Sequence, residues 1–246
     1  MGSGASIEWP PAIGMPACYP GTPSGLLPSG DTFIKADSPM SNYGNDTTFE
    51  VRPDNGADRR GLIRFDLSSI PANSTVTSAT LYLYSRDEKI EQTTSLYRVT
   101  SNWNENTVTW LTWTLLGGDF DGGTSYYTFN PGQKNCMLTI DITALVQAWV
   151  NGTYPNYGLM LYSTGPNHII KYSSKENGTA GERPKLNVVF TAPSTSTPTL
   201  TPSLTSTPTP SVTPSVTNTP ASATETASSP TETPTFTPSP TDTPTP

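Results

Sequence analysis

The chain has little with which to do chemistry. Its 246 residues include one histidine, His168, and two cysteines, Cys18 and Cys136. There is no His/Cys metal spacing, no nucleophile elbow and no phosphate loop; paired carboxylates among Asp119, Asp121, Glu105 and Glu176 could still serve glycoside hydrolysis, but a β-domain of this size holds several such acids by default. His168 sits in GPNHIIKYSS at the start of a predicted strand and reads as structural or solvated, not catalytic. Charge is also scarce, at 13% of residues, and acid outweighs base for a net −7, which argues against a nucleic-acid partner. No apolar run approaches the roughly 20 residues of a membrane span. The opening MGSGASIEWPP lacks the basic stretch followed by an apolar one that marks a signal peptide. An extracellular setting is therefore expected from the other end of the chain.

Residues 192–246 hold 13 of the 26 prolines and none of the 13 lysines and arginines. This Thr/Ser/Pro run has almost no apolar content to offset its conformational entropy. Its composition is that of an extended linker or stalk, of the kind often O-glycosylated in secreted proteins. At about 3.1 Å per residue it would reach on the order of 170 Å. Three regions follow: an arm over 1–30, a folded domain over 31–191 and the tail over 192–246.

The arm (IEWPPAIGMPACYPGTPSG) is punctuated by Pro10, Pro11, Pro16, Pro20, Pro23 and Pro28, which exclude a helix and a central strand. It is expected to lie extended, with Ile7, Trp9, Ile13 and Met15 filling a groove of this subunit or of another. In an oxidising compartment Cys18 and Cys136 are expected to pair and pin the arm to the domain.

Within the domain, apolar and polar residues alternate with period two. Ile63, Phe65 and Leu67 alternate with Arg64 and Asp66, and Ala79, Leu81 and Leu83 with Thr80, Tyr82 and Tyr84. Leu138, Ile140 and Ile142, then Leu159 and Leu161, then Leu186, Val188 and Phe190 follow the same rule. That pattern marks half-buried strands. Turn signals such as SNYGND, PDNGADRRG and NGTYPN separate about nine of them, which predicts an all-β, two-sheet antiparallel sandwich of jelly-roll type. One segment differs. DITALVQAWVNG places Leu145 and Trp149 at helical spacing, with Thr143 as N-cap and Gly152 just past the end, and predicts one short helix plugging the sandwich.

The segments DTFIKADSPMSNYG (31–44), GLIRFDLSSIPANSTVTSATLYLY (61–84), LYRVTSNWNENTVTW (96–110), DITALVQAWVNG (141–152), NYGLMLYS (156–163) and KYSSKENGTAGERPKLNVVF (171–190) carry a resemblance. In this order they resemble the DNRLRE-type domains, a bacterial and archaeal extracellular family that overlaps a carbohydrate-binding module family. The resemblance implies a jelly-roll-like sandwich, a prokaryotic extracellular location and association with polysaccharide or matrix; it does not imply catalysis. The chain departs from the family after VTW, where it reads LTWTLLGGDFDGG, and at the name-giving charged stretch, which is present only as RPDNGADRRG.

Ligand candidates follow from side-chain chemistry. Sugar rings stack on exposed aromatic faces. Trp103, Trp110 and Trp149 lie at apolar phases and read as core, whereas Trp113, Phe120, Tyr126 and Tyr127 fall in a predicted loop over 111–127 and are candidate platforms. The alternative is that this loop covers the sandwich edge. Arg59, Arg60, Arg64, Lys171 and Lys175 are a large share of the bases; if the strands of Arg64 and Lys171 are neighbours, a basic strip suited to an acidic polysaccharide results. The alternative is scattered solvated charge. GGDFDGG offers Asp119 and Asp121 on a glycine-rich turn, either as ligands of a structural calcium or as an ordinary polar turn, and Asp31 with Asp37 is a second candidate pair.

Two functions fit. One is a secreted, non-catalytic module on a Thr/Pro linker that binds polysaccharide or a cell-surface glycan. The other is a structural subunit of an extracellular filament or surface layer, self-associating through its N-terminal arm and coated by a glycosylated tail.

Overall fold

The computed structural model describes residues 14, 16–53, 56–87, 92–115, 120–132 and 134–194. The candidate arm residues Ile7, Trp9, Ile13 and Met15, the candidate ligand Asp119 and the tail from 195 onward lie outside them.

The described strands are β1 (Pro28–Lys35), β2 (Thr48–Val51), β3 (Arg59–Phe65), β4 (Thr75–Ser85), β5 (Thr93–Val99), β6 (Phe120–Phe129), β7 (Cys136–Asp141), β8 (Leu159–Thr164), β9 (Ile170–Ser173) and β10 (Lys185–Thr191). Two short helices join them, α1 (Trp110–Leu115) and α2 (Thr143–Val150), with a 3-10 turn at Ala180–Glu182. The first sheet runs β1-β3-β8-β5-β6. The second runs β10-β4-β9-β2, with β7 also paired to β4. Every pairing within the two sheets is antiparallel. This is the all-β sandwich that the alternation predicts.

The inward phase of each strand supplies the core. Ile63, Leu81, Leu83, Leu96, Ile140, Leu161, Ile170, Tyr172 and Leu186 are each fully buried between the sheets. Full burial of such a side chain stabilises by roughly 1.5–3 kcal/mol relative to leaving it exposed, so the period-two pattern carries the fold. Helix α2 closes one end by adding Leu145, Val146, Trp149 and Val150 to this core. Its start differs from the sequence expectation. The N-cap is Ile142, and the oxygen that accepts from the Thr143 N–H is Oδ1 of Asp141, at 2.8 Å. Thr143 Oγ1 instead accepts from the Ala79 N–H at 2.8 Å, tying the helix to β4. Gly152 terminates the helix at φ +69°, as its position predicts.

Two further differences concern residues 111–127. Residues 111–115 belong to α1 and 120–127 to β6, not to a loop, and 116–119 lie outside the described residues. Strand β6 is the edge of the first sheet, where the register irregularities in its pairing with β5 accommodate Gly122 and Gly123. The arm also shortens, because Pro28 begins β1, where a proline is tolerated at a strand start.

The described part of the arm packs on its own domain. The Tyr19 N–H donates to the Met137 carbonyl, and Leu26 and Leu186 exchange both backbone hydrogen bonds. Cys18 and Cys136 are joined, with S–S 1.96 Å, linking the arm to the start of β7.

Candidate functional site

The outer face of the first sheet carries a second apolar cluster. Ile34, Leu62, Val99 and Met160 project from the strands, and Trp103, Val108 and Trp113 close over them from the β5–α1 connection and α1. The apolar cover leaves part of this face open, and there the side chains change character. One row crosses four strands. Arg60 of β3 stands opposite Ile34 of β1. Ser95 of β5 stands opposite Tyr162 of β8 on one side and Thr128 of β6 on the other. Arg60 and Tyr162 meet on this face, so the row reads arginine, tyrosine, serine, threonine.

Arg60 is held by aromatic rings. Its guanidinium carbon lies 5.0 Å from the ring centroid of Trp110, 5.4 Å from Tyr162 and 5.6 Å from Phe120. Tyr97 meets Phe120 edge-on at 5.2 Å and extends the aromatic surface. Nε and Nη2 of Arg60 are each 2.8 Å from Oδ2 of Asp58, which is 1% exposed. Arg60 itself keeps 21% of its side chain exposed. Beyond the rings, Ser95 Oγ and Thr128 Oγ1 share a hydrogen bond at 3.0 Å. Trp110, Tyr162, Phe120, Ser95 and Thr128 are all half-buried. Such a surface offers aromatic faces for the apolar side of a sugar ring, hydroxyls for its hydroxyls and one oriented cation for an acidic substituent.

The residues singled out from the sequence are distributed differently from the expectation. Trp113 is 4% exposed and belongs to the apolar cover, so it offers no platform. Tyr126 and Tyr127 are half-buried against the inter-sheet core and line a groove of about 540 Å³ beside α2, with Asp141, Thr143 and Gln147. Phe120 is part of the Arg60 surface. The basic strip does not form, because β3 and β9 belong to different sheets. Arg64 reaches Asn102 Oδ1 at 2.8 Å and lies over Trp103. Lys171 pairs with Glu50 at 3.3 Å, and Arg59 pairs with the same carboxylate. Asp121 is 3.3 Å from Arg98, whose guanidinium covers the ring of Tyr154. His168 is exposed, with its carbonyl accepting from Gln92 Nε2. Trp110, read from the sequence as core, is half-buried and faces Arg60 instead, because α1 lays it over the sheet, and Tyr162 and Tyr97 were not among the sequence candidates. Their signal was their polar phase in LYRV and LMLYS, where an aromatic replaces the expected small polar residue on the outward face.

Lys175 lies in a separate cluster. Its ammonium is 2.8 Å from Glu105 Oε2 and 2.5 Å from Glu176 Oε1. Its backbone N–H donates to Asp31 Oδ2 at 2.9 Å, and the Asp31 N–H donates to Glu105 Oε1 at 2.7 Å. The carboxylates of Asp31, Glu105 and Glu176 each place an oxygen within 4.8 Å of the others. Burial, reinforced by the charges of Glu176 and Glu105, pushes the Asp31 carboxyl up to about 8 against the pull of the Lys175 N–H. Burial works against the charged form of Lys175, but its bonds to Glu105 and Glu176 outweigh that and raise it.

Comparison with known proteins places the domain. No curated protein sequence matches the chain. The family model of carbohydrate-binding module family 96 matches residues 22–190, which takes in every described strand apart from the last residue of β10, both helices and the Arg60 surface. The chain belongs to carbohydrate-binding module family 96.

Proposed function

We propose that this protein is a secreted, non-catalytic module that binds an acidic polysaccharide through the outer face of its first sheet, on a Thr/Pro tether. The observation that carries the reading is Arg60, a cation oriented among Trp110, Tyr162 and Phe120 on a partly open sheet face. Rings of this kind stack on pyranose faces, and a guanidinium matches the carboxylate of a uronate better than an ammonium does. Membership of a carbohydrate-binding module family supports the ligand class. The disulfide and the tail composition support an extracellular setting.

Of the carboxylates considered for an acid/base pair, the described ones are tied to cations, Asp121 to Arg98 and Glu105 and Glu176 to Lys175, and Asp119 lies outside the described residues. This supports a binding role over hydrolysis. Residues 18–26 bond to their own domain, which supports the binding module over a subunit whose arm is donated to a neighbour.

Affinity electrophoresis through gels containing polygalacturonate, a neutral β-glucan or no polymer tests the reading. Retardation by the polyuronate, weakening as salt rises, is expected. Equal retardation by the neutral glucan would remove the acidic preference, and no retardation by either would sink the proposal.

A further inference from the structure

We propose that Asp31, Glu105 and Glu176 form a binding site for a divalent, oxygen-seeking cation of the calcium type. The site is independent of the Arg60 surface and does not rest on its function. The three residues are far apart in sequence and come from β1, the β5–α1 connection and the β9–β10 connection. They converge to within 4.8 Å through their carboxylate oxygens.

Two carboxylate oxygens of these residues have no hydrogen-bond partner among the described residues. Asp31 is 1% exposed, and its Oδ1 is buried without a hydrogen-bond partner. Glu176 Oε2 is likewise buried and unpartnered. Buried carboxylate oxygens are normally satisfied, so two partnerless ones in one cluster call for a ligand. The other oxygens are used to hold the cluster in shape. Asp31 Oδ2 accepts from the Lys175 N–H, and Glu105 Oε1 accepts from the Asp31 N–H. Glu105 Oε2 and Glu176 Oε1 hold the Lys175 ammonium. The main chain of Glu105 is fixed too, because its carbonyl accepts from Asn42 Nδ2 at 2.7 Å.

Charge leads to the same ligand. The cluster gathers three carboxyl groups around the one ammonium of Lys175. An all-oxygen donor set of this kind suits Ca²⁺, which takes carboxylates and completes its shell with water. The bound ion would join β1 of the first sheet to the β9–β10 connection of the second.

The test uses the full-length protein stripped with EGTA. Trp103 is the intended antenna: a Cβ on Gly30 would lie 3.5 Å from both the Trp103 ring and Glu105 Cβ. Tryptophan-sensitised Tb³⁺ luminescence is expected to rise on titration and to be reversed by Ca²⁺. Calcium at 100-fold its Kd is expected to raise the melting midpoint by about 5–10 °C. Asp31→Asn and Glu176→Gln are expected to lose both effects, and Asp121→Asn to keep them. Glu176 is only half-buried, so its variant stands in if Asp31→Asn fails to fold. A wild-type protein with neither luminescence nor a calcium-dependent shift overturns the proposal. So does full binding by folded Glu176→Gln, or loss of binding in Asp121→Asn.

Discussion

Replacing Arg60 by lysine separates charge from geometry on the outer face of the first sheet. A lysine keeps a cation beside Asp58, which is 1% exposed, so the buried carboxylate is not abandoned. Alanine would abandon it, at a cost of about 3–5 kcal/mol, and would confound folding with binding. Lysine does lose the flat fork that lies against Trp110, Tyr162 and Phe120. A charge-assisted hydrogen bond to a ligand carboxylate contributes about 1.5–3 kcal/mol, and the ammonium cannot reproduce its planar geometry. At about 1.4 kcal/mol per tenfold, binding should weaken roughly 10- to 100-fold. Titration calorimetry against a uronate oligomer at fixed salt reads the affinity, and circular dichroism against temperature reads the fold. Tyr162→Ala, which breaks no ion pair, should weaken binding in the same direction. Unchanged affinity in both variants, with both folded, refutes the assignment of this face.

Reduction of the Cys18–Cys136 bond frees a loop spanning 118 residues and should lower stability by about 5 kcal/mol in the chain-entropy account, measured by urea unfolding with and without reductant. Trp113→Ala, at a site 4% exposed, should cost about 3–5 kcal/mol while the folded fraction binds polysaccharide as before. A loss of binding without loss of stability would restore Trp113 as a platform. Gly158 sits at φ +90°, and a Cβ there would collide with the carbonyl oxygen of Ile63. Gly158→Ala should therefore destabilise by about 2 kcal/mol or more, read as a lower midpoint in thermal unfolding.

The strands with a single buried face were legible because alternation is a local signal. β3, β4, β7, β8 and β10 each show it without help from any partner. The 111–127 region was not legible for the opposite reason. WLTWTL is rich in aromatic and β-branched residues, and its helix is held by burial of Trp113 and by the Thr109 and Thr112 hydroxyls bonding across its first turn. FDGGTSYYTF reads as a turn because of Gly122 and Gly123, yet it pairs along β5 as an edge strand. The expected basic strip failed on a non-local fact. Arg64 and Lys171 both face outward, but from different sheets.

Composition and periodicity alone determine the all-β sandwich, the change of composition near Ala192 and the lack of any recognisable catalytic motif, because each depends on residue type and short-range spacing. Which side chains share a surface depends on strand order and register, which no short window of sequence contains. Arg60, Trp110, Phe120 and Tyr162 meet only because β3 lies beside β8 and α1 folds back over their sheet. Asp31, Glu105 and Glu176 meet only because strand β1 and two separate connections converge at one corner. The tertiary fold decided both gatherings, since contacts between residues distant in the chain are made by packing.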